Sequence, residues 1–195
     1  MSNTISIRKG LNIRLVGEST KEIKDIPVSN TVCLSPLDFH GLIPKLVIKE
    51  GESVQVGDVI FHDKKNERIK FVSPTSGKIK QIVRAEKRKI VQILIESDSK
   101  QTCKKFDVKK VADTSKEEVL DLLLNSGIWP SIKQRPLDIV ADPSNEPKGI
   151  FISSFDSSPL APDYSFILKG KMVQVQIGLN ALNQLASGKI HLSSR

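Results

Sequence analysis

VIKEGESVQVGDVIFHDKKNERIKFVSPTSGKIKQIV, residues 47–83, alternates apolar and polar side chains in short bursts, each ending at a glycine or a charged pair. A period of two puts every second side chain on one face of an extended chain, so the segment reads as strands. Those strands are Val54 with Val56, Val59 to Phe61, Ile69 to Val72 and Lys78 to Val83. The same alternation runs through Leu46–Ile48 before them and Lys89–Glu96 after them. Gly51, Gly57 and Gly77 fall at the corners, where a residue without Cβ turns the chain at least cost. Residues from about 30 to about 100 are therefore expected to form a compact β unit.

A different pattern begins near Asp113. Ser115 followed by Glu118 is a capping box, and Val119, Leu122 and Leu123 then recur at helical spacing up to Gly127, a stop signal. WPSIKQRPLDIVADPSNEPKG, residues 129–149, reads as a loop, and GIFISSF at 149–155 as a buried strand, because Ile150, Phe151 and Ile152 are apolar in succession. Residues 171–187 carry two patterns. Val173, Val175 and Ile177 alternate as in a strand, whereas Leu179, Leu182, Leu185 and Ala186 follow a helix that Gly188 would end; we read a helix. With KIHL at 189–192 as a strand, residues 149–192 become a strand, helix, strand unit with parallel pairing and a right-handed crossover. Two strands alone leave an unprotected edge, so a truncated α/β domain is expected.

Composition sets the outer limits. The 195 residues are 38% hydrophobic and 27% charged, which suits a folded chain of one large or two small domains. No run approaches the length of a membrane helix, and MSNTISIRKG lacks the apolar core of a secretory signal, so a chain without a transmembrane helix, facing the cytoplasm, is expected. Cys33 and Cys103 have no ligand-spaced partner and read as buried or inert thiols. His40, His62 and His191 sit in separate segments, so no metal site is expected. A net charge of +8 favours acidic partners in general. With aromatics at only 5% and no alternation of aromatic and basic residues, nucleic acid is not expected.

Two resemblances refine this reading. Val47, Gly51, Val54, Gly57 and Ile60, followed by Pro74, Ser76, Gly77 and Ile79, resemble a biotinyl/lipoyl-type barrel-sandwich domain. Across nearly the whole chain, KGLNIRL, the DKKN of Asp63 to Asn66, SPTSGKI, RAEKRKIVQILIE, SGIWPSIKQRP and IFISSFDSSPLAPD follow an order that resembles the NqrA family, one of the six components of the sodium-translocating NADH:quinone reductase. The RnfC component of the Rnf complex is a near relative of that family. This chain lacks the glycine-rich flavin loop that marks the relatives binding flavin mononucleotide. The resemblance implies a mixed fold. A biotinyl/lipoyl-like β barrel-sandwich domain with an N-terminal extension, residues 1–105, precedes the start of an α/β Rossmann-like domain, residues 106–195. It further implies a peripheral component on the cytoplasmic side of a membrane complex that couples NADH oxidation and quinone reduction to sodium export. The complex uses flavins and iron–sulfur, none of them bound by this component, whose partners are the other subunits and, at the quinone end of the reaction, quinone.

Candidate site residues follow from these patterns. Were the β domain a biotinyl or lipoyl carrier, the alternative function, Lys64 or its neighbour Lys65 would bear the group; the charged NERIK that follows makes a solvated loop the better reading. SGIWPSIKQRP stands where flavin-binding relatives have several glycines, and its bulky Trp129, Pro130 and Ile132 close off a phosphate cradle. Trp129 reads first as a core or interface anchor, and Arg135 as a group for pairing with a carboxylate or for solvent. Phe155, Asp156, Ser157 and Ser158 follow a strand whose carboxyl end is where open α/β sheets bind ligands, although capping the turn is the commoner role for such residues. Arg84, Lys87, Arg88 and Lys89 crowd a hairpin tip, solvated or facing anionic headgroups. No catalytic group is identified.

Overall fold

The computed structural model describes residues 16–17, 20–107, 109–158 and 160–194. The KGLNIRL motif near the start and Pro159 of FDSSPLAPD lie outside the described residues.

Among the described residues, seven antiparallel strands form the first unit: β1 (Thr31–Leu34), β2 (Pro44–Leu46), β3 (Ser53–Val54), β4 (Val59–Asp63), β5 (Lys70–Val72), β6 (Gly77–Arg84) and β7 (Ile90–Ser97). They make two sheets, of order β1-β7-β6-β3 and β2-β4-β5. The period-two pattern survives as burial: Ile79, Ile93 and Ile95 of one sheet and Ile60, Phe61 and Phe71 of the other are at most 3% exposed. Phe61 stacks on Phe71 at 4.5 Å, and Phe39 meets Phe71 edge-on at 4.6 Å. This is the expected barrel-sandwich, with one strand more than the alternation announced. Thr31–Leu34 is too short and too polar at its flanks to stand out, yet it pairs with β7 from Thr31↔Glu96 to Leu34↔Ile93.

The corner at 73–77 is closely packed. Ser73, Thr75 and Ser76 are at most 1% exposed, and each hydroxyl has a partner. Ser73 donates to the Thr75 carbonyl (2.6 Å), Thr75 shares a bond with the Ser97 hydroxyl (2.6 Å), and Ser76 donates to Asp98 (2.6 Å). Gly77 has a φ of 152°, and a Cβ there would run into the Glu96 carbonyl of the paired strand. The glycine of the P-x-S-G pattern is thus required by the close approach of β6 to β7. Neither cysteine is buried, which corrects the first of the two expected readings. Cys33 points away from the core on β1, between half-buried Val32 and Leu34, and Cys103 is exposed beside Gln101.

The second unit opens with α1 (Lys116–Asn125), whose capping box forms as expected. The Glu118 amide donates to the Ser115 hydroxyl (3.3 Å), and the Ser115 amide donates to the Glu118 carboxylate (2.8 Å). The buried stripe is rotated from the expected one. Val119, Leu120 and Leu124 are the buried residues of α1, while Leu122 and Leu123 are half-buried, because the later helix Met172–Leu185 and the turn carrying Trp129 pack against it. Gly127 ends α1 with a φ of 74°, and Ile128 donates back to the Leu123 carbonyl (3.2 Å), a Schellman closure. The segment read as a loop at 129–149 contains a small hairpin, β8 (Lys133–Gln134) with β9 (Ile139–Val140). β10 (Gly149–Ser153), α2 (Tyr164–Ile167), α3 (Met172–Leu185) and β11 (Lys189–Ser193) follow.

β10 and β11 pair in parallel from Gly149↔Lys189 to Ser153↔Ser193, so the expected strand, helix, strand unit is present. The helical pattern prevails in α3, where Leu185 is buried and Ala181 and Leu182 pack on the core, while Val173 and Ile177 face outward. The expectation of a buried β10 is corrected. Ile150 packs against the core, but Phe151 is 79% exposed and stacks on His191 at 4.6 Å. A pair of strands has two faces, and among the described residues only the Ile150 face is covered.

The two units meet along α1. One terminal nitrogen of Arg68, in the loop between β4 and β5, donates to Glu117 (3.0 Å) and to Asp121 (3.1 Å), which lie one turn apart on the helix. Lys70 of β5 reaches Asn125, and the Val72 side chain sits where a Cβ on Gly127 would be.

Candidate functional site

The loop that leaves β10 is placed by the sheet itself. Ser154 donates to the Ser193 carbonyl of β11 through both its amide (2.8 Å) and its hydroxyl (2.9 Å), and the Ser153 hydroxyl donates to the Phe155 carbonyl (2.6 Å). Asp156 accepts the Ser158 amide at 2.8 Å; that bond, and then the Ser158 hydroxyl, hold its carboxyl below the usual range. Asp163 caps α2 by accepting the Phe166 amide (3.2 Å) and pairs with Lys21 (3.1 Å). Lys21 is the main reason its carboxyl also lies below the usual range.

A cleft of about 370 Å³ opens between these turns, lined by Phe155, Asp156, Ala161, Pro162, Asp163 and Tyr164. It lies beyond the carboxyl end of a parallel strand, where α/β sheets place ligands. Its chemistry is not that of a phosphate site. Residues 154–165 contain no glycine to bring amides close, and two ionised carboxylates would repel an anion. Two aromatic residues, Phe155 and Tyr164, among hydroxyl and carboxylate groups suit a flat neutral ring or a cation.

The structure gathers only part of the expected set here. Phe155 and Asp156 line the cleft, Ser158 braces Asp156, and Ser157 stands exposed outside the lining. Trp129 is elsewhere, 6% exposed at the end of α1, with its indole N–H donating to the Ala141 carbonyl at 2.7 Å. Arg135 lies in the β8–β9 hairpin, 80% exposed and 3.5 Å from Asp138. Asp163 and Tyr164 were not singled out from sequence, although an aspartate before Tyr164, Ser165 and Phe166 is an N-cap signal.

The β4–β5 apex is the other candidate. Lys64 is exposed, and its amide donates to the Ile43 carbonyl (2.8 Å). Lys65 donates through its side chain to the Gly41 carbonyl (3.3 Å), Glu67 pairs with Lys45 (2.7 Å), and Arg68 is held by α1. Asp121, followed by Glu117, raises the Arg68 pKa further, so it stays charged throughout. The apex is therefore bound on both sides. Arg68 escaped the sequence reading because its partners lie about fifty residues away; Glu117 and Asp121 at i, i+4 were the only local sign of a cation-binding helix face.

Residues 5–98 match the family model for the NqrA N-terminal barrel-sandwich hybrid domain, and residues 114–195 match that for the NqrA second alpha/beta domain. Among curated proteins, the chain is similar to the A subunit of the Na(+)-translocating NADH-quinone reductase of Neisseria gonorrhoeae, 37% identical over 190 residues, covering 96% of this chain and 42% of the relative. The corresponding protein of Yersinia pseudotuberculosis is 34% identical over 190 residues, with 96% and 42% covered. That of Saccharophagus degradans is 32% identical over 188 residues, with 95% and 42% covered. The chain spans about two fifths of the length of the curated relatives it matches.

Proposed function

This chain belongs to the NqrA family, and on that premise we propose that it is a docking and scaffolding part of a membrane NADH:quinone reductase that exports sodium ions. In this reading it is peripheral, faces the cytoplasm, binds no redox cofactor of its own and has the other subunits of the complex as partners. No helix among the described residues is long and apolar enough to cross a membrane, which accords with a peripheral place.

The observation that carries the scaffold reading is the bound apex. A carrier domain needs its modified lysine on a hairpin tip that other enzymes can approach freely, whereas here Arg68, four residues past Lys64, is fastened to Glu117 and Asp121 of α1, which brings the second unit against the apex. The β4–β5 hairpin thus works as a joint between two units. Lys64 is expected to be unmodified in protein isolated from its own cells, and Lys64→Ala to leave quinone reductase activity of the assembled complex near normal. A biotinyl or lipoyl adduct on Lys64 or Lys65, seen by peptide mass mapping, would establish the carrier function instead.

Quinone enters this reading at the cleft beyond β10. Phe155 and Tyr164 bring two aromatic rings to a cleft whose volume, about 370 Å³, is on the scale of a quinone headgroup. Photo-crosslinking with an azido-quinone is expected to label 154–165; labelling only outside this chain would remove quinone contact from its role.

A further inference from the structure

The tip joining β6 to β7 combines charge and backbone in a way that packing does not explain. Arg84, Lys87, Arg88 and Lys89 fall within six residues, opposed only by Glu86, and all five are exposed. None of the four cations is in an ion pair among the described residues. The Arg84 guanidinium instead donates to the Arg88 carbonyl (3.2 Å), folding back over the turn. Lys89 donates its amide to the Glu86 carbonyl (3.2 Å), which makes Lys87 and Arg88 the two central residues of a tight turn. Both have positive φ, 53° and 60°. That is the sign pattern of a type I′ hairpin turn, whose favoured occupants are Asn and Gly because longer L side chains are strained there. Two long basic side chains thus occupy the two positions where the fold alone favours Asn-Gly, and the fold forgoes stability to hold cations at the apex.

We propose that this β6–β7 tip is a contact site for the anionic phospholipid headgroups of a membrane surface. The inference rests on the peripheral reading above only for the nearness of a membrane. Exposed, unpaired cations at a protruding turn meet phosphate oxygens without first breaking an internal pair, and each basic residue close to an anionic surface strengthens binding roughly fivefold. The uncommitted apex fits a diffuse, laterally mobile layer of negative charge, which needs no fixed geometry from its partner.

The test uses the whole chain and vesicles of phosphatidylcholine, alone or mixed with phosphatidylglycerol, in a sedimentation assay at low and at physiological salt. Lys87→Asn with Arg88→Gly is expected to raise the melting temperature while weakening binding to the anionic vesicles about 30-fold, the product of two such contributions. Lys105→Gln with Lys169→Gln removes the same charge from exposed positions away from the tip, and is expected to weaken binding far less. Equal losses in the two variants, or no binding by the unaltered chain, would overturn the proposal. So would a lowered melting temperature in the Asn-Gly variant, since the strain argument would then be gone. Loss of co-purification with the membrane subunits, with vesicle binding intact, would assign the tip to a protein partner and refute the lipid contact. Failure of the vesicle assay leaves assembly of the complex untouched, so the two readings fail separately.

Discussion

Replacing Gly127 with alanine tests whether the seam between the two units is as tight as the geometry requires. Gly127 has a φ of 74°, where an alanine costs roughly 1 kcal/mol more than glycine. The added Cβ would also fall on the Val72 side chain of β5, and relieving that overlap in a packed seam costs typically about 1–3 kcal/mol. The expected loss is therefore about 2–4 kcal/mol, read from urea denaturation. Shrinking the obstacle separates the two parts. In a Val72→Ala background the two methyl groups are gone and only a close 3.1 Å approach to the Cβ of residue 72 remains, so Gly127→Ala should cost closer to about 1 kcal/mol, leaving a coupling between the two changes on the order of 1–3 kcal/mol. Equal losses in both backgrounds would show that α1 does not press on β5 at this point. A loss under about 1 kcal/mol in the unaltered background would refute the backbone argument as well.

Arg68→Met should weaken the contact of the β4–β5 loop with α1 only modestly, within about 1 kcal/mol, because Arg68, Glu117 and Asp121 are all 45% exposed or more. The difference from the unaltered protein should shrink in high salt, and a salt-independent loss would point to packing instead. Glu118 has its pKa lowered from 4.5 to about 2, by the Lys109 ammonium first and then by the Ser115 amide and hydroxyl. A lowered folded pKa means that its contribution is complete above the unfolded value and is lost as pH falls toward the folded one. The stability gap between the unaltered chain and Glu118→Gln should therefore hold above pH 4.5 and close toward pH 2, as followed by thermal melts; a gap that widens in acid would contradict this.

What could be read in advance divides by range. The β unit was legible because period-two burial is local: Ile93 and Ile95 announce their face wherever the strand sits. The capping box at Ser115 and the stop at Gly127 were legible for the same reason, since a helix end is completed by its own next residues. β1 was not, because four residues become a strand only when β7 lies beside them. The apolar run in β10 misled for a related reason. Ile150, Phe151 and Ile152 are one pattern in the chain, but burial depends on what covers each face, and Phe151 is left uncovered among the described residues. In the candidate cleft, Phe155 and Asp156 were found because they follow a strand end. Asp163 and Tyr164 follow several residues later, so only the fold brings them to the same cleft.

Trp129 is the chain's one tryptophan, and its place makes it an optical probe of a single locality. It is buried at the end of α1, hydrogen-bonded to Ala141, and the turn that carries it touches β5. Its fluorescence therefore reports the seam and little else, while the β sandwich, which holds no tryptophan, is dark in that channel. Opening of the seam should shift the emission to longer wavelength before the far-ultraviolet circular dichroism of the strands changes. The two signals would part wherever the joint loosens first, and would coincide if the two units melt as one.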